Sequence, residues 1–441
     1  MPDNFSESIR DVLADTAQRD PASPTRRDAN LRLLPGKVDA VIGMRRVGKS
    51  WLLLQAIRDL LAEGVPRSAI LHLEFEDERL AGMDTQHLRL IDQVFDTMHP
   101  DHVGKQRWFF FDEIQNVPGW EKYVRRLLAD PKVHITITGS SAKLLSTEIA
   151  TSLRGRALTT EVLPFSFREA LRHRGVEDAA DGTPNQKARA RLRHEFEQYR
   201  AIGGFPEAWS MDPGSRRDLL QGYLDVVLLR DILERHRVSN APLLRALVRR
   251  LLRCMGNRVS LNGMTQDLRS MGLTFDKDAI YTLMQYVADV HLAFQVPLHT
   301  DSEKRRQVNP KKLYAIDHGL VQACIPSRST DTGHQLENIV YLQLRRRGTV
   351  LGYHLTASQR EVDFVHEHAG EQELVQACAT LADAATRERE VTALTEAMQE
   401  TGIAAATIVT LDEEERIEVA SGTIQVTPAW RWLVADKPVR P

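Results

Sequence analysis

The stretch that decides the fold reads Gly43-Met44-Arg45-Arg46-Val47-Gly48-Lys49-Ser50. It satisfies the GxxxxGK[ST] spacing of a phosphate-binding loop, and its flanks agree with that reading. The apolar run Val38 to Ile42 enters it as a strand. A helical pattern leaves it, with Leu53, Leu54, Ile57, Leu60 and Leu61 on one face and Gly64 as the stop. Gly43 and Gly48 let the backbone curl until successive N–H groups face a phosphate, and the start of the helix adds partial positive charge. Lys49 is the candidate ligand of the β- and γ-phosphates, and the Ser50 hydroxyl is a candidate Mg²⁺ ligand. The candidate nucleotide-binding segment is therefore Gly43 through Ser50 with Trp51 beside it, and the cofactors it calls for are ATP and Mg²⁺.

Working outward, 441 residues suggest about three domains on a prior of ~150 residues each. The composition is that of a soluble globular chain, 42% hydrophobic and 27% charged, with a formal net charge of -2 that points to no partner class. Cys254, Cys324 and Cys378 lie far apart, which argues against a zinc site or a disulfide framework and fits a reducing cytoplasm. The polar, acidic start MPDNFSESIRD does not read as a signal peptide, and no apolar run of ~18 residues suggests a membrane span. Residues 1–30 read as a short helix and a linker.

Downstream of the loop, Trp108-Phe109-Phe110-Phe111-Asp112-Glu113 reads as a buried parallel strand that surfaces at its C-terminal end, where ligands sit in doubly wound sheets. Asp112 is the candidate metal residue and Glu113 the candidate general base for an attacking water. The run Val133 to Ser141 reads as a further strand, expected between the other two, that presents Thr138 or Ser140 to the γ-phosphate. An ordinary helix cap explains Ser140 equally well. Arg154 and Arg156, just before a fifth strand at Leu158 to Leu163, are candidate arginine fingers for a neighbour's nucleotide, Arg156 slightly favoured.

Residues 31–210 resemble an AAA-superfamily ATPase of the prokaryotic group that pairs this module with a C-terminal domain of unknown function. The phrases that carry the resemblance are GMRRVGKS, FFFDEIQNVPGWE (109–121), ITGSSAKLL (137–145), LRGRALTTEVLPFSFRE (153–169) and GGFPEAW (203–209). It carries Lys49, Ser50, Asp112 and Glu113 over at matching positions and leaves the arginine finger open. GGFPE resembles the family's junction after the ATPase core.

Residues 211–332 are similar to the family's winged-helix pattern, three helices followed by two strands around the polar loop holding Lys304, Arg305 and Arg306. Lys311 and Lys312 precede the second strand. Across residues 210–332 there are 18 Lys and Arg against 13 Asp and Glu. Lys304, Arg305, Arg306, Lys311 and Lys312 are the candidate nucleic-acid contacts, with packing against a subunit or partner as the competing use. Residues 333–441 resemble restriction-endonuclease-like (PD-(D/E)xK) folds through Glu337 on a helix and Asp363 on a strand. The acid-x-Lys positions read Gln376-Ala377-Cys378, and no lysine stands between Lys312 and Lys437. A degenerate domain without nuclease chemistry is expected. This segment carries 10 Lys and Arg against 17 Asp and Glu.

The expected fold is α/β: a P-loop AAA-type doubly wound parallel sheet, then a winged helix and a C-terminal α/β nuclease-like domain. The expected function is Mg²⁺-dependent ATP hydrolysis coupled to binding or remodelling DNA, branched DNA included, by a cytoplasmic homo-oligomer with no membrane partner. The competing reading is a regulatory switch that binds a protein partner and hydrolyses ATP slowly and independently of DNA.

Overall fold

The computed structural model describes residues 5–18, 25–139, 153, 155–177, 185–325 and 331–435. Its contacts divide the chain into two compact units, one ending at Leu163 and one starting at Pro164.

In the first unit a helix, α1 (Phe5–Gln18), is followed by β1 (Val38–Ile42) and α2 (Lys49–Ala62). Then come β2 (Ile70–Glu74), α3 (Leu88–Met98), β3 (Arg107–Asp112), α4 (Trp120–Leu127), β4 (Val133–Thr138) and β5 (Ala157–Glu161). The strands form one sheet in the order β2-β3-β4-β1-β5, parallel throughout. As expected, β4 lies between β3 and β1. The central strands β1 and β4 are buried along their full length, which a parallel sheet covered on both faces requires. Phe109, Phe110 and Phe111 are fully buried, each removing enough apolar surface from water to contribute about 1.5–3 kcal/mol. Parallel pairing brings the ends of β1, β3 and β4 to one edge, and that edge holds the site.

The second unit begins with α5 (Phe167–His173) and α6 (Gln186–Ile202). The next helix, α7 (Pro213–Val226), continues as a π-helix over Val227–Glu234. Next come α8 (Ala241–Arg253), β6 (Arg258–Val259), α9 (Leu261–Ser270), α10 (Lys277–Asp289), β7 (Ala293–Val296), α11 (Glu303–Val308) and β8 (Lys311–Ala315). The three strands form an antiparallel sheet in the order β6-β8-β7. Two expectations change here. Lys304, Arg305 and Arg306 lie on a short helix rather than in a loop, capped by Ser302, whose hydroxyl accepts from the Arg305 N–H. Lys311 and Lys312 lie inside β8 rather than ahead of it.

The chain continues with α12 (His318–Cys324), α13 (Thr332–Arg347), β9 (Thr349–Leu355), β10 (Glu361–His368), β11 (Glu371–Ala377), α14 (Ala384–Thr401), β12 (Ala405–Thr410), β13 (Glu415–Val419), β14 (Gly422–Pro428) and α15 (Ala429–Trp432). The six strands form a mixed sheet in the order β13-β14-β12-β11-β10-β9. Within it, β9, β10 and β11 are antiparallel, while β11, β12 and β14 run parallel.

The division at Leu163, rather than near residue 210, has a physical cause. The Phe165 N–H donates to the Gly204 carbonyl at 2.6 Å, and the Gly204 N–H donates to Asp317 Oδ2 at 2.6 Å. A Cβ on Gly204 would sit 2.6 Å from the Phe165 carbonyl oxygen, so the approach needs glycine. Buried Asp317 also caps α12 through the Leu320 N–H, and His318 Nε2 bonds the Tyr199 carbonyl. The GGFPE phrase therefore knits Pro164–Phe165 and α6 to α12, all within the second unit.

Candidate functional site

Between β1 and α2 the backbone turns through two glycines with positive φ. Gly43 has φ 148°, and a Cβ there would lie 2.3 Å from the Val162 carbonyl oxygen. Gly48 has φ 100° in the left-handed region and caps α2. Arg46, also left-handed at φ 67°, is exposed, whereas Met44 and Val47 are buried in the core. Side chains at Met44 and Val47 thus anchor the loop and leave its backbone to face a ligand. Arg45 pairs with Glu76 at 3.4 Å. Lys49 is buried, with Nζ 3.2 Å from each of the Gly43 and Met44 carbonyl oxygens. That ammonium stands 3.7 Å from Glu113 Oε1.

The ends of β3 and β4 complete the cluster. Thr138, fully buried at the end of β4, donates its hydroxyl to Asp112 Oδ1 and accepts the Glu113 N–H at 2.9 Å. The Ser50 hydroxyl also bonds Asp112. Burial pushes the Asp112 carboxyl above the usual range, and the hydrogen bonds from Ser50 and Thr138 pull it back. Glu113 turns left-handed at φ 53°, which swings its side chain out of the strand's alternation, and Gln115 Nε2 donates to Glu113 Oε2. Lys49, Ser50, Asp112 and Glu113 are thus brought together, and the hydroxyl that links Asp112 to Glu113 belongs to Thr138. Ser140 and Arg154 lie outside the described residues.

With a glycine-curled loop, a lysine at its centre and a paired strand-end Asp-Glu in place, known families can be compared. Residues 36–171 match the model of a family described as an AAA domain. The chain belongs to the AAA-type P-loop ATPases. Residues 193–331 of this ATPase match a second model, a domain of unknown function. An uncharacterised protein of Methanocaldococcus jannaschii is 34% identical over 438 residues, covering 97% of this chain and 94% of its own. One of Haemophilus influenzae is 30% identical over 335 residues, covering 76% of this chain and 80% of its own. The Walker-type ATPase PABY2304 of Pyrococcus abyssi shares 15% identity at a TM-score of 0.42, over 73% of this chain and 94% of that one. No helix among the described residues is long and apolar enough to cross a membrane.

Other candidates fall in different places. Trp51 is 42% exposed beside the loop. Arg156 is exposed at the start of β5, next to Ala157, which pairs with Val38 at the start of β1. That is one strand length from the loop, roughly 16 Å at about 3.3 Å per residue. Lys304, Arg305 and Arg306 are exposed, with Arg306 also bonded to the Thr300 carbonyl.

Lys312 departs from its expected role. It is 1% exposed, and its ammonium lies 2.6 Å from Glu337 Oε1, 2.8 Å from Glu361 Oε1 and 2.7 Å from Asp363 Oδ1. A lysine saturated in that way does not face a phosphate backbone. The same contacts correct the expectation that no lysine reaches the Glu337 and Asp363 positions, because β8 delivers one from upstream. Burial alone would lower the Lys312 pKa, but Asp363, Glu337 and Glu361 overcome it and hold the group above the usual range. Burial, with Asp363 close by, pushes the Glu337 carboxyl up to about 8. Gln376, in the expected acid position, bonds the Asp363 N–H and Glu390 instead. Among the described residues, no three His, Cys, Asp or Glu side chains are grouped to hold a metal ion.

Proposed function

We propose that this ATPase binds ATP with Mg²⁺, hydrolyses it at the loop, and couples the cycle to DNA through residues 241–315. The observation that carries the first part is the joining of Ser50, Asp112, Thr138, Glu113 and Lys49 at the edge formed by β1, β3 and β4. A Mg²⁺ ion would be held by the Ser50 hydroxyl and Asp112, and it would neutralise charge on the phosphates. Lys49 would bind the β- and γ-phosphates. Glu113, oriented by its left-handed backbone and by Gln115, would take the proton of the attacking water. Thr138 ties the metal-side carboxylate to the backbone of the base, so movement of one is felt by the other. Arg156 stands too far from its own loop for cis action, and a finger role would be toward the nucleotide of a second copy.

The DNA half rests on the order helix, strand, two helices, strand, short helix, strand over residues 241–315, which we read as a winged helix. The exposed trio Lys304, Arg305 and Arg306 lies between its last two strands. Exposed cations there would lie along phosphates and release counterions, so binding would weaken steeply with salt. The test is the ATP hydrolysis rate with duplex, single-stranded and four-way-junction DNA at two salt concentrations, beside Lys49→Ala. Salt-sensitive stimulation, lost when Lys304, Arg305 and Arg306 become glutamine, is the expected result. A rate indifferent to every DNA would overturn the coupling and leave a switch for a protein partner.

A further inference from the structure

Behind the phosphate loop lies a cation that no sequence motif marks. Arg27, 5% exposed, donates from Nη1 to the Val47 carbonyl at 2.6 Å and from Nη2 to the Leu163 carbonyl at 2.6 Å. Its backbone is held as firmly. The Arg27 N–H donates to Gln55 Oε1 at 2.7 Å, and Gln55 Nε2 donates back to the Arg27 carbonyl at 3.2 Å. The preceding residue, Arg26, forms a two-bond ion pair with Asp59 on the same helix, α2, at 2.8 and 2.9 Å. Residues 26 and 27 are therefore strapped along α2, and the strap ends in a guanidinium beneath the loop. A Cβ on Gly48 would lie 2.9 Å from Arg27 Nη1, which measures how closely the cation approaches the backbone.

The geometry points to Arg27 as a positioning residue for nucleotide binding, one that aims the Gly48 N–H at the phosphates by holding the Val47 carbonyl away from them. The physical link is the planar trans peptide, in which C=O and N–H point in opposite directions. Val47 and Gly48 share one such unit. Fixing its oxygen on a buried cation fixes its N–H toward the other side of the loop. Left free, a left-handed glycine lets that unit flip, presenting the carbonyl dipole to the phosphates. The second bond, to Leu163, refers the loop to the segment leaving β5, the same segment whose Val162 carbonyl abuts Gly43. Each carbonyl is held by a different nitrogen of the planar fork, which a single ammonium nitrogen does not reproduce, so lysine would replace arginine only in part.

This inference rests on reading the loop as the ATP site, and the experiment separates the two. The dissociation constant for MgATP is measured for the full-length protein, Lys49→Ala, Arg27→Met, Arg27→Lys and Gln55→Leu. The melting temperature of each without nucleotide is recorded in parallel. If the unaltered protein and Lys49→Ala bind ATP equally, the loop reading itself fails. If only Lys49→Ala loses affinity, that reading stands and the Arg27 inference falls. The expected result is a dissociation constant raised about tenfold by Arg27→Met at a temperature where the variant is folded, with Arg27→Lys in between. At saturating ATP the kcat would change less than about threefold, because the reacting groups are untouched. Gln55→Leu, which loosens the strap without altering the guanidinium, would raise the constant in the same direction and by less. It also decides the matter should Arg27→Met not fold. A lower melting temperature with affinity unchanged within twofold would make Arg27 a stability residue only and overturn the inference.

Discussion

Two buried lysines in this chain stand beside carboxylates, and their surroundings set them to opposite tasks. Lys49 is 3.7 Å from its carboxylate and otherwise bonds two backbone carbonyls at a helix start. Lys312 has three carboxylates within 2.8 Å. A carbonyl is a weak, neutral acceptor that an arriving phosphate readily displaces, whereas three carboxyl groups already occupy an ammonium's three donors. The first arrangement holds charge ready for a ligand. The second spends its charge internally, joining β8 to α13 and β10. Burial is similar at both, so what separates the two lysines is the competition for their protons.

The sharpest test of that difference exchanges the consequences. Lys49→Ala is expected to lower the ATP hydrolysis rate by at least about a hundredfold while leaving the fold intact, as loss of a preorganised charge at a reacting centre does. Lys312→Met should do the reverse. The rate per folded molecule would stay within about threefold, and stability would fall by about 3–5 kcal/mol, because buried Asp363 loses its counter-ion while Glu337 and Glu361 lose the same donor. Denaturant unfolding beside ATPase rates reads both. Equal losses of activity from the two variants would collapse the comparison. Adding Glu337→Gln and Asp363→Asn to Lys312→Met should recover part of the stability, since the cost lies in unpaired charge.

The contrast also explains what the sequence could disclose. The loop, the strand ending in Asp112-Glu113 and the β4 run were legible because each is local. Glycine spacing, an apolar run and its terminal acids fit within a dozen residues. Lys312 was not, since its partners lie on α13 and β10, with Asp363 51 positions away. A signal did exist, because period-two alternation puts Lys312 on the same strand face as Tyr314, whose hydroxyl donates to Glu337. Arg27 left no such trace. It sits in irregular backbone and reaches carbonyls 20 and 136 residues away, which no periodicity encodes. The division at Leu163 was hidden likewise, since the Gly204 and Asp317 contacts behind it span 113 residues.

A smaller effect is expected at the link between Asp112 and Glu113. Thr138→Val keeps the shape of the side chain but removes the hydroxyl that serves Asp112 and the Glu113 N–H. Two buried groups then lose a partner, at about 1–3 kcal/mol. The hydrolysis rate should fall about tenfold or more, mainly in kcat. Thr138→Ser should restore most of it. A valine variant with full kcat would show that the hydroxyl only fills a buried position, and Lys49 and Asp112 would then suffice without it.

The smallest effect separates the two lysine sites by pH. Glu337, beside Lys312, titrates near 8 in the folded chain, well above the usual glutamate range, because burial and the Asp363 charge oppose its ionisation. The folded state therefore holds a proton that the unfolded chain has released. The stability this contributes is complete below the ordinary glutamate pKa and is lost as pH rises toward 8. Glu337→Gln carries no such proton. Melting temperatures of both forms across pH 5 to 9 should show the glutamate protein losing ground to the glutamine variant as pH rises, by a few degrees at most. The difference would stop widening above about pH 8, where Glu337 is ionised in the folded chain as well. Parallel pH curves for the two proteins would mean that Glu337 is ionised throughout, and Lys312 would then be neutralising three full charges rather than sharing a proton with one of them.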